Sequence, residues 1–450
     1  MTRFLFFFKN ILAAIAFFFL SVCLSPVSAK WLPEGLELQH FIQQETAYRV
    51  ASAPAFTKLL TFYQLEARYR YSYNLRFTAI GRMAYEPIYD LQNLTKTNPF
   101  QGRFASSSPG VVEDSSAFDA DFREFYGDFS LENTDLRIGK QIVRWGVIEG
   151  FRITDELNPL DFSEFILREL TDRYIPLWML KIDHYFEKST LQFVWIPEIV
   201  FHKPAAEGTE FEQFQKPPGL ERPAKTFANT EMGLRFSKNL AGFDLAFTYF
   251  DGWDDFPTAS QTLFGFGGGG GASNTSPRYH RIKTFGLAFT KSLGSELLKG
   301  EFVYVHGRAF GTFSSATETE LVRPQVKYAL GWDTRAPLGV ETFFQFSQQW
   351  IQNHKDVIIA DELDSGASVT FRKTLMNERL TLKLLTIYIV NDEEFLIRPR
   401  VNYRWNDQLM LSFGADIFEG KEGNIQQDDF RFIGFFDKND RIYTTLRYSF

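Results

Sequence analysis

The chain has 450 residues, with 48 basic and 55 acidic side chains and a formal net charge of −7. An acidic balance without a basic block argues against nucleic acid as a partner. Its one cysteine, Cys23, leaves no pair for a disulfide and no set of cysteines for a metal.

The N-terminus has the three parts of a secretory signal peptide. Arg3 and Lys9 give it positive charge, an apolar run covers residues 11–24, and small residues precede a cleavage point after Ala29. The alternatives are a retained transmembrane anchor and a lipoprotein signal that ends at Cys23. We expect a signal peptide at 1–29 and a mature chain at 30–450.

The mature chain alternates apolar and polar residues over long segments. No apolar run of about 18 residues follows residue 30, yet aromatic residues make up 17% of the chain. The alternation is clear in 62–72, 74–86, 395–405 and 441–450. Such segments are long enough to cross a bilayer as tilted strands, whereas a soluble sandwich uses strands of about 5 or 6 residues. The pattern therefore favours a transmembrane β-barrel over a sandwich.

Short turns, two of which we place at Lys238–Asn239 and Asp333–Thr334, alternate with long loops along the chain. Counting from a first strand at 40–50 to a last strand at 441–450 predicts an all-β, antiparallel barrel of 18 strands, with 16 also compatible. An even number places both termini on the side of the short turns, as in outer-membrane barrels. We expect this barrel to occupy residues 30–450.

The C-terminal segment is suited to barrel closure. Ile442, Leu446 and Tyr448 share one face, which we assign to membrane lipid, and pairing with the first strand removes the open edge. Tyr448 and the terminal Phe450 resemble the sorting signal that the barrel-assembly machinery recognises. We therefore expect export to the outer membrane of a Gram-negative bacterium, with a homo-oligomer left open.

The stretch RIGKQIVRWGVIEGFRITDELNPLDFSEF at 137–165 resembles a signature of a large family of outer-membrane barrels, catalogued as domain of unknown function 1302. The matching residues are Gly139, Gln141, Trp145, Gly146, Asn158, Pro159 and Asp161. Lys140 stands where the family more often has arginine. The resemblance implies a barrel and a channel, and it supplies no substrate and no catalytic residues.

The long loop within 146–175 is the candidate constriction. Asn158 and Pro159 form a helix-opening pair, and apolar residues follow at helical spacing up to Leu170. This predicts a short helix that folds into the lumen, with a helix capping the outer rim as the alternative. The candidate residues are Trp145, Asn158, Pro159, Asp161, Phe162 and Phe165.

The candidate pore-lining residues are charged side chains on the polar face of the strands. They are Arg68, Arg70, Arg76, Arg82, Arg398, Arg400 and Arg404, together with Glu66 and Glu124. A ladder of unpaired guanidinium groups would select anions. The alternative is that these arginines pair with Glu66, Glu86, Glu124 and Asp128 and only brace the wall.

No catalytic or metal-binding pattern emerges elsewhere. Asp251, Asp254 and Asp255 lack the spacing of a calcium loop, and the six histidines are scattered. We expect no cofactor, no metal and no enzymatic activity. The predicted function is a porin-like channel for passive diffusion of small hydrophilic solutes, with anions favoured if the ladder is unpaired. The alternatives are a plugged barrel that binds partners, and an uptake route for hydrophobic compounds.

Overall fold

Eighteen antiparallel strands close into one barrel, which confirms the predicted fold class and strand number. The computed structural model describes residues 33–88, 118–205, 209–212, 220–257, 278–312, 320–421 and 431–450. The predicted signal peptide, with its cleavage point at Ala29, lies outside the described residues. The barrel strands, in chain order, are β1 (Leu36–Arg49), β2 (Ala55–Arg70), β3 (Leu75–Tyr85), β4 (Phe118–Leu131), β5 (Thr134–Gln141), β6 (Leu177–Phe186), β7 (Ser189–Ile196), β8 (Glu231–Leu240), β9 (Phe243–Trp253), β10 (Arg281–Leu293), β11 (Glu296–His306), β12 (Gln325–Ala336), β13 (Val340–Ile351), β14 (Leu363–Leu375), β15 (Leu380–Ile389), β16 (Glu394–Arg404), β17 (Leu409–Glu419) and β18 (Arg441–Ser449).

Shorter elements lie in the connections. They are the strand pieces Asp161–Phe162, Lys203–Pro204, Ala309–Gly311 and Glu320–Val322, the 3-10 turns Phe227–Asn229, Pro337–Gly339 and Gly434–Phe436, and helix α1 (Leu170–Arg173). No helix among the described residues is long and apolar enough to span a membrane.

The first and last strands close the barrel. Strand β1 pairs with β2 on one side and with β18 on the other, in a register that runs from Phe41 opposite Ser449 to Arg49 opposite Arg441. The backbone N–H of Phe450 donates to the carbonyl of His40 at 3.0 Å, and the two rings stack at 4.6 Å. The terminal phenylalanine thus extends the closing seam, so the two end strands leave no edge between them.

The two faces of the wall differ as the alternation predicts. Large apolar side chains such as Phe77, Phe125, Phe344 and Phe413 are 42–53% exposed on the outer face, where lipid would cover them. The opposite parity carries the polar and charged side chains. The outer face therefore has the apolar band that a membrane-spanning barrel requires.

Two turns lie farther along the chain than the sequence suggests. The sequence places them at Lys238–Asn239 and at Asp333–Thr334, but β8 continues to Leu240 and β12 to Ala336. The chain reverses where consecutive residues adopt positive φ, at Ala241–Gly242 and at Leu338–Gly339. Glycine has no Cβ and adopts this conformation without strain, so it determines where each turn forms.

The helix in the long loop is shorter than predicted and lies farther along the chain. Asn158 and Pro159 do not open a helix, because Leu160 forms a bridge with Tyr174, and Asp161–Phe162 pair with Lys203–Pro204. Phe165 adopts a φ of +52°, which interrupts a right-handed helix. Only Leu170–Arg173 is helical.

Candidate functional site

Residues 142–176, which connect β5 to β6 and are here named the lumenal loop, cross the interior of the barrel. Four of its acidic side chains bind basic side chains of the wall. The contacts are Glu164 Oε1 to Lys58 Nζ of β2 at 2.5 Å, Asp172 Oδ1 to Arg82 of β3 at 2.9 Å, Glu169 Oε1 to Arg400 of β16 at 2.6 Å and Glu156 Oε1 to Lys327 of β12 at 2.5 Å. Strands β2 and β3 lie across the 18-strand ring from β12. A single segment can reach both sides only through the interior.

The two arms of the lumenal loop are clamped together near their base. The side-chain oxygen of Asn158 accepts from the N–H of Val143 at 2.9 Å, and its amide donates to the carbonyl of Ile175 at 2.9 Å. Asn158 is fully buried. Asp155 adds a second clamp, since it accepts from the N–H of Trp145 at 3.0 Å and from the Tyr174 hydroxyl.

One wall carboxylate holds the tip of the loop. Glu301 of β11 accepts hydrogen bonds from the backbone N–H groups of Val147, Ile148 and Thr154 at 2.5, 2.6 and 2.9 Å, and from the Thr154 hydroxyl at 2.6 Å. Four donors on one buried carboxylate fix the backbone around it. Because three of these donors are backbone groups, no side-chain pattern in the sequence indicates Glu301.

The loop glycine Gly150 approaches a second wall side chain closely. Its N–H donates to Gln345 Oε1 of β13 at 2.8 Å. A Cβ on Gly150 would lie 2.3 Å from that oxygen, so a larger residue would require the Gln345 side chain to move and would break this contact.

Electrostatic attraction reinforces the contacts. Burial opposes ionisation of Glu164, but Lys58, Arg441 and Arg168 outweigh it and lower its pKa to about 2. The same opposing effects act on Glu156. Burial raises its pKa, but the positive charges of Lys327 and the neighbouring basic side chains lower it to about 2. Both loop carboxylates are therefore ionised at neutral pH.

A histidine beneath the loop is held neutral. His202 Nδ1 accepts from the N–H of Leu160 at 2.8 Å, which an imidazolium could not do. Burial lowers the pKa of His202 well below its usual value, and Arg152 and Arg308 lower it further. The nearby Asp255 has a pKa raised well above its usual value, mainly by burial.

Apolar packing accompanies the polar contacts. Phe165 is 3% exposed and packs with Phe418 and Phe436 against the wall near β16 and β17, so this candidate constriction residue does not project into open space. Trp145 packs on the opposite arm among Leu177, Met179, Val194 and Phe250. Phe162 contacts His202 and Phe256, with ring centroids 5.1 and 5.9 Å apart.

The candidate pore-lining arginines fall into three groups. Arg82, Arg398 and Arg400 bind the lumenal loop: Arg82 and Arg400 through loop carboxylates, and Arg398 through the carbonyl of Leu167 at 2.6 Å. Arg68 pairs with Glu66. Arg70, Arg76 and Arg404 are exposed near the short-turn end of the wall and have no ion-pair partner among the described residues.

The bracing expected from wall acids is mostly absent in the described part of the wall. Asp128 binds Arg137 at 2.6 Å, and Glu86 accepts from the N–H of Leu59 at 2.7 Å. Glu124 is on the wall without a described ion pair. Of the four acids that the sequence suggested as partners of the arginine ladder, only Glu66 therefore pairs with a ladder arginine in the described wall. The other counter-charges come from Asp172 and Glu169 of the lumenal loop and from Asp416 of β17, which binds Arg398 at 2.7 Å.

Among the described residues, strand β4 has no neighbouring strand on one side of its first seven residues. It pairs with β3 between Phe118 and Phe129, but with β5 only from Phe125 onward, because β5 ends at Gln141 where the chain turns inward. Residues 118–124 therefore present a strand edge on that side. Phe122, Phe125 and Trp178 line the outer surface nearby, each 47–59% exposed.

The described residues contain no group of three or more histidine, cysteine, aspartate or glutamate side chains that could hold a metal ion. The acidic residues considered for calcium are bound elsewhere. Asp251 pairs with Arg281 at 2.6 Å, and Asp254 with Arg308 at 2.8 Å.

Solved structures share this architecture. OccAB3 of Acinetobacter baumannii matches with a TM-score of 0.52 and 7% identity, over 92% of this chain and 99% of that one. OccK2 (OpdF) of Pseudomonas aeruginosa in complex with glucuronate matches with a TM-score of 0.52 and 11% identity, over 92% and 98%. OccK8 (OprE) of the same organism gives 0.51 and 9%, over 93% and 98%. At these identities the likeness concerns the fold alone.

No curated protein matches the sequence. The family model described as "Protein of unknown function (DUF1302)" matches residues 55–355, which is more than half of the chain. This range contains β2 to β13 and the whole lumenal loop. The chain belongs to the DUF1302 family.

Proposed function

We propose that the protein is an outer-membrane channel for passive diffusion of small hydrophilic solutes, with a preference for anions. The observation that carries the proposal is the lumenal loop, which crosses the barrel and binds charged, inward-facing side chains of the wall. A barrel of this size otherwise encloses a water channel, so a loop across it sets the width of the path.

The preference for anions rests on the balance of charges along the path. The acids of the lumenal loop neutralise Arg82, Arg400 and Lys58. Arg70, Arg76 and Arg404, which have no ion-pair partner in the described part of the chain, place positive charge toward the short-turn end. Guanidinium groups in a pore attract anions and repel cations. A solute that has passed the loop thus meets a basic wall.

The location follows from the same proposal. Cleavage after Ala29 would release a mature chain of 30–450, and Tyr448 with Phe450 would direct it to the barrel-assembly machinery. The stacked ring of Phe450 at the closing seam supports a role in assembly. The outer face of aromatic and aliphatic side chains supports insertion in lipid.

A comparison of two solutes of similar size tests the function. Proteoliposomes that contain the folded barrel should take up glucuronate faster than glucose, and both faster than protein-free vesicles. OccK2 of Pseudomonas aeruginosa forms a complex with glucuronate, which makes this anion a suitable probe. Equal uptake of both solutes would remove the anion preference, and no uptake of either would remove the channel.

The unpaired edge of β4 favours a second candidate function, the uptake of hydrophobic compounds through the wall. In that case Phe122→Arg and Trp178→Arg should slow the uptake of a labelled long-chain fatty acid by cells that express the protein. Phe344→Arg, on the outer face of β13, is the control. If all three variants take up the fatty acid like the wild type, this route is excluded.

A further inference from the structure

A cleft opens within the lumenal loop between its two arms. Arg144, Gly150, Phe151, Leu170, Arg173 and Tyr174 are among its lining residues. The lining combines guanidinium groups with aromatic and aliphatic surface. The cleft has a volume of about 30 Å³, which has room for a carboxylate group, while the larger body of a ligand would lie at its mouth in the lumen.

Two of the guanidinium groups in the cleft lack a counter-charge. The Nε of Arg173 is buried and has no hydrogen-bond partner, and the described residues give this side chain no ion pair. Its guanidinium lies 5.8 Å from the ring centroid of Phe162. Arg144 is exposed, and its guanidinium lies 5.4 Å from the ring centroid of Tyr174. A buried donor without an acceptor costs free energy, which a ligand oxygen would recover.

The acids around the cleft are already engaged. Glu301 accepts four hydrogen bonds from the loop, and Asp155 accepts two. Arg152 is satisfied by the carbonyls of Asp155 and Asn158. The exposed Glu149 is the one lining carboxylate to which the described residues give neither an ion pair nor a hydrogen bond.

The surroundings of Arg173 are short of negative charge. Burial lowers the pKa of Arg173 to about 10, and repulsion by Arg152 and Arg398 contributes to the shift. An anion placed beside Arg173 would relieve this repulsion. The unpartnered Nε of Arg173 and the positive charge around it therefore both favour an anionic ligand.

We propose that Arg173 and Arg144 form a binding site for the carboxylate group of a small organic anion on its way through the barrel. A guanidinium binds a carboxylate through paired N–H donors, and Tyr174, Phe151 and Leu170 would contact the apolar part of the ligand. This inference rests on the proposed channel function and names the chemical class of the solute together with its site.

Block of the chloride current by benzoate tests the site. Single channels of refolded wild-type protein are titrated with benzoate and, separately, with the neutral analogue benzamide. We expect Arg173→Gln to weaken the block by about tenfold, which corresponds to the loss of one charge-assisted hydrogen bond. Arg144→Gln should weaken it by a smaller factor, and benzamide should not block.

Two matched variants separate the site from general electrostatics. Arg335→Gln removes the same charge at the short-turn end of β12, where Arg335 pairs with Glu341 of the wall at 3.5 Å, and should leave the block affinity unchanged. Glu149→Gln removes a negative charge from the cleft and should strengthen the block severalfold. Unchanged affinity in both Arg173→Gln and Arg144→Gln, in variants that still conduct, would overturn the inference while leaving the channel in place.

If the folded protein does not conduct, the proposed channel function is contradicted, but the binding site is not. The site is then tested by calorimetric titration of folded wild-type barrels with benzoate, with Arg173→Gln as the comparison. Binding that disappears in the variant supports the site, and equal heats in both proteins contradict it. Folding of each variant is checked by circular dichroism before the titration.

Discussion

Single ion pairs determine how firmly the lumenal loop is held. Glu164 contacts Lys58 at 2.5 Å and Arg441 at 3.6 Å, and all three side chains are at most 16% exposed. Replacing Glu164 by Gln would remove one of two carboxylate partners from each cation, because Lys58 keeps Glu45 and Arg441 keeps Asp416. The loss of a charge-assisted contact of this kind costs about 2 kcal/mol. We expect a lower midpoint of thermal unfolding, measured by circular dichroism.

The exposed Glu149 is the control for this variant. It has no described ion pair, so Glu149→Gln should leave the unfolding midpoint within error. A midpoint of Glu164→Gln equal to that of the wild type would mean that the ion pairs of Glu164 do not stabilise the folded barrel.

The same carboxylates predict a response to acid. The pKa values of Glu156 and Glu164 are about 2 in the folded protein, below the ordinary value of 4.5. A depressed pKa stabilises the folded state above the ordinary value, and this stabilisation is lost as the pH falls from about 4.5 towards 2. We expect steady channel currents from pH 7 to pH 5 and current noise that rises below about pH 3. Noise that rises between pH 7 and 5 would contradict the assignment.

The alternation of residues predicts which wall arginines face inward, and their contacts agree. Arg82, Arg398 and Arg400 all lie on the predicted parity and reach the loop. Their partners were not predictable, because Arg400 and Glu169 are 231 positions apart. A two-residue period predicts which face of a strand a side chain occupies. A contact across the lumen depends on the path of the loop, which the period does not predict.

At the level of elements, the lumenal loop depends on one carboxylate of β11. Glu301→Gln would remove acceptor capacity from four donors around residues 147–154. Each unmet buried donor costs about 1–3 kcal/mol, so the loop should detach for part of the time. We expect frequent transitions between current levels in single-channel records.

Glu341→Gln is the matched control. Glu341 lies at the short-turn end of β13 and pairs with Arg372 on the wall surface, away from the loop. Single-channel records of Glu341→Gln should show the same current levels as those of the wild type. Quiet, wild-type currents from Glu301→Gln would show that this anchor is dispensable.

The strands follow from the sequence more completely than the loop does. Period two predicts β2, β3 and β16, because each strand needs only a lipid face and a polar face. The helix predicted after Asn158 does not form, because the Asn158 side chain binds Val143 and Ile175, and Phe165 adopts positive φ within a packed aromatic cluster. Tertiary contacts override local helical spacing in a segment this short.

For the whole molecule, barrel closure and sorting both involve the C-terminus. The ring of Phe450 stacks on His40 at 4.6 Å and contacts Tyr448 at 4.8 Å. If Phe450 is a sorting signal, Phe450→Ala should lower the amount of folded protein in outer membranes severalfold. The same variant should refold in detergent like the wild type. The measurement is the folded fraction on a gel run without heating.

His40→Ala distinguishes sorting from closure. It removes the stacking partner and leaves the terminal phenylalanine in place. Equal losses in membranes for His40→Ala and Phe450→Ala would assign the effect to the seam and not to recognition by the assembly machinery.

The sharpest test of an anion-preferring channel is the single-channel current of the purified, refolded protein in a planar bilayer under a potassium chloride gradient. The pinned lumenal loop and the uncompensated arginines predict a steady open conductance and a reversal potential on the chloride side of zero. A reversal potential on the potassium side would contradict the arginine wall as selector. Silent bilayers that contain verified folded barrels would contradict the channel itself.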